Sequence, residues 1–130
     1  MSDIRHLLPD GLAPPNGYSH VVSAPVDRIV FVSGQVPLDA DGELVGAGDV
    51  AAQARQVFAN LTRALDAAGA TWRDVVKLGY FVRDVGEMDA VRSVRNEFID
   101  TERPPASTLV EVSSLFRDDV LVEVDAVAVR

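Results

Sequence analysis

Glu123 and Asp125 are acids set among aliphatic residues in the segment from Val120 to Val129. In a strand, successive side chains point to opposite faces. The even set, Val120, Val122, Val124, Ala126 and Ala128, is wholly apolar and belongs under helices. The odd set, Leu121, Glu123, Asp125, Val127 and Val129, brings both carboxylates to the other face. Acids on the solvent side of an antiparallel sheet are routine, and the pattern alone favours that reading. The alternative rests on the three aliphatic residues beside them. They suit a face covered by another copy of the chain, with Glu123 or Asp125 at the edge of an intersubunit cleft.

Other residues offer chemistry more weakly. Gly34, after Ser33, lets a ligand approach the backbone closely and could present an N–H to a developing oxyanion. Arg92 lies about 40° around a helix from Met88, so it flanks the apolar stripe and can snorkel toward a cleft; it can equally pair with Asp89 or Asp100 on the surface. Tyr18 as a lone aromatic reads as core, and His20 as an ordinary strand residue. His6, near the start, carries no signal. No HExxH, P-loop or GxGxxG pattern occurs. The absence of cysteine excludes disulfides, thiolate nucleophiles and sulfur-ligated metals.

Composition narrows the partners. A net charge of −8 and scattered basic residues do not form the basic stripe that phosphate neutralisation needs, so nucleic-acid binding is not expected. No apolar run approaches the ~20 residues of a membrane span. The first residues show no basic segment followed by an apolar one, so no secretory leader and a cytoplasmic location are expected. At 130 residues, without repeat or linker, the chain reads as one domain, residues 1–130.

The elements that must hold these residues follow from local patterns. Residues 1–17 are rich in turn clusters. A short apolar segment from Tyr18 to Ala24 and a strand from Arg28 to Val36 flank a Pro25-Val26-Asp27 turn and read as a hairpin. Asp49 caps a helix carrying Val50, Ala54, Val57, Leu61 and Leu65 inward, with Gly69 as its stop. Thr71 to Asp74 has the form of a capping box and leads into a strand from Val75 to Arg83. A second helix starts near Val85 or Gly86, turns Met88, Val91, Val94/Arg95 and Phe98 inward, and is stopped by Pro104-Pro105. Strands at Ser107–Val112 and Val120–Val129 close the chain. The order ββ-α-β-α-ββ, with hairpins at both ends, predicts an α+β fold: a mixed sheet with two helices packed on one face.

Several segments together resemble the YjgF/RidA family, also called the endoribonuclease L-PSP family. They are Gly17-Tyr18-Ser19, Val32-Ser33-Gly34-Gln35-Val36-Pro37, the helix around Gln53 to Val57, Ala67-Ala68-Gly69, Lys77 to Asp84, Arg103 to Val112, and Glu123 to Ala128. The resemblance implies a chorismate-mutase-like fold and a homotrimer with clefts between subunits, the sheets forming an inner wall. It also implies hydrolysis of reactive enamines or imines to a keto acid and ammonia, without metal or organic cofactor. Tyr18 falls on the family's cleft tyrosine, Ser33-Gly34 on the Ser-Gly that lines the site, and Glu123 on the glutamate that positions water. The family's arginine, which holds the substrate carboxylate, is replaced by Ser107 in Pro105-Ala106-Ser107-Thr108, and its helix asparagine aligns with Arg92.

A guanidinium fork gives two charge-assisted bonds to a carboxylate. A serine hydroxyl gives one neutral bond, a loss of about 1.5–3 kcal/mol if nothing compensates. Three readings follow. The chain is a Rid-type hydrolase with Glu123 as catalytic residue and Tyr18, Ser33, Gly34, Arg92 and Ser107 binding a small-molecule substrate. Alternatively it is a non-catalytic small-molecule-binding trimer, for which the missing arginine is the warrant. The ribonuclease of the family's older name suits so acidic a chain least.

Overall fold

The computed structural model describes residues 3–130. Eight elements follow in order: β1 (Arg5–Leu7), β2 (Val21–Ser23), β3 (Ile29–Gln35), α1 (Val50–Ala67), β4 (Val75–Val82), α2 (Met88–Arg95), β5 (Ala106–Glu111) and β6 (Val122–Val129). A four-stranded sheet has the order β3-β6-β4-β5, and β1 and β2 form a separate ribbon. Pairing is antiparallel except between β4 and β5, which run parallel and are joined across α2. No helix among the described residues is long and apolar enough to cross a membrane.

Local signals explain the helices. The Asp49 carboxylate accepts from the Ala52 N–H at 3.1 Å and caps α1. At its other end Gly69 adopts φ +73°, its N–H bonds to the Asp66 carbonyl and that of Ala70 to the Leu65 carbonyl. This is the paired-bond C-terminal cap for which glycine is favoured. The Thr71–Asp74 box is present, and Asp74 also pairs with Arg130 at 3.1 Å. The second helix departs from expectation: α2 ends at Arg95, well before Pro104, and a one-turn 3-10 helix (Val85–Glu87) precedes it. Beyond it, Phe98 stacks on Phe58 (5.5 Å between centroids), which stacks on Trp72 (5.6 Å).

Both expected hairpins are absent. β2 pairs with β1, inside a stretch read as loop, and β3 pairs with β6, not with β2. β5 pairs with β4, so β6 does not fold back on its neighbour in sequence but enters the centre of the sheet between β3 and β4. Gln53, fully buried on α1, guides this entry: its amide donates to the Asp119 carbonyl at 2.9 Å and accepts from the Leu121 N–H at 2.8 Å. The even residues of β6 lie against the helices and are buried, with Val122, Val124 and Ala128 at 0% exposure. On the opposite face, in register with β6, stand Ile29 and Phe31, 50% and 77% exposed.

Candidate active site

One group of predicted residues lies on β3 and β6. Val32 pairs with Ala126 and Gln35 with Val124, so Ser33 and Gly34 together oppose the single residue Asp125. This is a β-bulge, which interrupts the ladder and re-aims the backbone. Glu123, on the face turned from the helices, lies against Gly34, where an added Cβ would stand 2.8 Å from its Cδ and 3.1 Å from its Cγ. Asp125 lies in the same way over Gly79, its register partner on β4, where a Cβ would be 3.2 Å from Cγ. Only glycine leaves room for either carboxylate in these positions. Glu123 is half-buried; burial, and secondarily the charge of Asp125, raise its pKa above the ordinary carboxylate value. A carboxyl raised in this way is a better proton acceptor once ionised.

The second group lines a cavity of about 230 Å³ bounded by β5, β4, α2 and the loop before β2. Tyr18, Arg92 and Ser107 all open onto it, with Tyr80 and Arg95 beside them. The Tyr18 loop is tied to the chain just before Ser107: the Ser19 hydroxyl donates to the Pro104 carbonyl at 2.5 Å, and the Ser19 N–H to the Pro105 carbonyl at 3.1 Å. His20 lies outside β2 and meets the Tyr18 ring edge-on, 5.2 Å between centroids. Arg92 pairs with Asp89 at 3.1 Å and also borders the cavity.

Within one chain these two groups do not meet. Ser107 pairs with Leu78 and Leu78 with Ala126, so Ser107 is on the helix side of the sheet, at its β5 edge. Ser33, Gly34 and Glu123 are on β3 and β6, with Glu123 on the opposite side. Another cavity, of about 630 Å³, borders His6, Trp72, Arg103 and Arg130 and includes none of the predicted site residues. There burial, and then the nearby Arg103 charge, lower the His6 pKa. Among the described residues no group of three His, Asp or Glu side chains could hold a metal ion.

Sequence reasoning did not single out Arg95. As an inward position on α2 it followed the same 3–4 spacing as core residues. The signal that marks it is chemical: an arginine has no place in an apolar stripe without a partner.

A two-layer α+β domain, with two helices on one face of a mixed sheet, defines the structural class, and comparison with known proteins gives the family. Residues 9–130 match the family model of endoribonuclease L-PSP. The chain belongs to that family, the YjgF/Rid proteins. It is 38% identical to 3-aminoacrylate deaminase RutC of Acinetobacter baylyi, covering 94% of each chain. It is 36% identical to 2-iminobutanoate/2-iminopropanoate deaminase of Salmonella typhimurium, over 85% of this chain and 87% of that one. A Rid-family protein of Yersinia pestis, YyfB, of unknown function, superposes with a TM-score of 0.88 at 35% identity over 98% of both chains.

Proposed function

We propose that this protein is a Rid-type deaminase, hydrolysing a small imine or enamine acid in clefts between the subunits of a cytoplasmic homotrimer. The observation that carries the reading is the split site: Glu123 with its Gly34 cradle on one side of the sheet, the Tyr18–Arg92–Ser107 cavity on the other. Two halves that cannot meet within a chain are completed when the cavity edge of one subunit abuts the exposed β3–β6 face of the next. Similarity to two deaminases supplies the reaction class.

In this reading an enamine first tautomerises to its imine. Glu123 takes a proton from water as the water oxygen bonds to the imine carbon, and the C=N π pair moves to nitrogen. Glu123 returns that proton to the nitrogen to give the carbinolamine. In its collapse Glu123 takes the hydroxyl proton and passes it to nitrogen, the C–N bond breaks, the oxygen forms the carbonyl, and ammonia leaves. The Ser33-Gly34 bulge borders the reacting atoms, and Tyr18 orients the substrate. Glu123→Gln removes the base at nearly constant volume. Its turnover of freshly generated 2-iminopropanoate is expected to fall at least ~100-fold, within the range of a lost general base, with fold and assembly retained; full activity would refute the role.

The Ser107 replacement favours a second reading, a trimer that binds such acids without turning them over. That reading requires wild type to leave 2-iminopropanoate hydrolysis unaccelerated and Ser107→Arg to gain activity.

A further inference from the structure

Arg95 ends α2 and is only 7% exposed, yet none of the ion pairs among the described residues includes it. Its Nε and one terminal nitrogen donate to the neutral Asn96 Oδ1 at 3.0 and 2.9 Å, which leaves guanidinium N–H groups unused and supplies no counter-charge. The guanidinium lies flat against Gly17, where a Cβ would stand 2.8 Å from a terminal nitrogen, and Gly17 has φ +81°. The chain therefore leaves room for this cation at a position where any other residue would be strained and would crowd it.

Tyr80, 2% exposed on the neighbouring strand, has a hydroxyl beside Arg95 whose O–H finds no acceptor among the described residues. Burial pushes its phenol up to about 12 against the charge of Arg95, a hydrogen bond from Arg95 and the charge of Arg92, so it stays neutral and keeps its O–H to donate. Both groups open into the same 230 Å³ cavity as Ser107. That is roughly the space of seven or eight liquid waters, enough for an acid of a few carbons. A buried guanidinium without a counter-charge, beside a buried hydroxyl without an acceptor, is an arrangement that a bound anion completes. The C-terminal end of α2 contributes only a fraction of a negative charge and no acceptor for the unused donors.

We propose that Arg95, with the Tyr80 and Ser107 hydroxyls, binds the substrate carboxylate, supplying from the end of α2 the guanidinium that the strand position of Ser107 lacks. Naming the anion a carboxylate rests on the deaminase reading; the anion site itself does not.

The probe is pyruvate, compared with methyl pyruvate, the same molecule without its charge, by isothermal titration of the intact protein. Wild type is expected to prefer pyruvate at least ~10-fold, in keeping with charge-assisted bonds. Arg95→Gln is expected to lose the preference, and Arg95→Gln/Ser107→Arg to regain it by returning a guanidinium from the strand. Equal binding of acid and ester by wild type would overturn the proposal, as would a folded Arg95→Gln that keeps the preference. Equal binding is the result expected if a carboxylate of another copy neutralises Arg95. Should Arg95→Gln fail to fold, Arg95→Lys, which keeps the charge without the fork, must show a weakened preference; an unchanged one overturns the assignment. An Arg95-dependent preference without imine turnover would retain the anion site and remove the deaminase reading.

Discussion

Each carboxylate of β6 lies over a glycine, Glu123 over Gly34 and Asp125 over Gly79. Gly34 has ordinary backbone angles, so its role is one of space alone. Gly34→Ala is expected to displace Glu123 and lower kcat at least ~10-fold, a loss typical of misplaced catalytic groups, with little change in melting temperature. The raised pKa of Glu123 has two consequences of opposite sign. In the proposed mechanism activity needs the ionised base, so kcat/KM is expected to fall, as the solution is acidified, at a pH above the ordinary carboxylate value of 4.5. The fold instead favours the protonated form. That contribution is complete below the unfolded value of 4.5 and is lost as pH rises through the raised folded value. Glu123→Gln is accordingly expected to melt higher than wild type at pH 7, with the difference vanishing in acid. Alternation assigned both carboxylates to one face, but not what lies opposite them. The glycines that hold them come from β3 and β4, and Gly79 opposes Asp125 only through a register that is not local to either strand. Arg95 was hidden for the converse reason, since helical spacing marks a position as inward without saying whether it faces core or cavity.

At the scale of elements, what depends on a few adjacent residues was legible and what depends on partners was not. Asp49, Gly69 and the Thr71–Asp74 box cap as their types require, because caps are local hydrogen-bond arrangements. Gly69→Ala is expected to cost about 1 kcal/mol in urea unfolding, the left-handed conformation being disfavoured for a residue with a Cβ. Strand pairing was misread at both ends. Adjacency in sequence suggests hairpin partners, whereas α2 carries the chain across to a parallel β5 and leaves the central slot to β6. The wholly apolar even face of β6 is consistent with that central position.

At the scale of the molecule, the helices cover one side of the sheet and leave Phe31, 77% exposed, and Ile29, 50% exposed, on the other. Exposed apolar surface of this kind suits the subunit contact proposed above. Phe31→Glu is expected to convert the proposed trimer to monomers in analytical ultracentrifugation and to abolish turnover, although Phe31 belongs to neither proposed half-site. In the proposed trimer each site takes Glu123 from one subunit and the Tyr18 cavity from another. Subunits of Glu123→Gln and Tyr18→Ala, each inactive alone, test it most directly when unfolded, mixed in equal amounts and refolded together. If clefts are shared, about a quarter of them combine an intact cavity with an intact Glu123, and about that share of wild-type imine hydrolysis returns. A mixture that assembles and stays inactive would contradict the account.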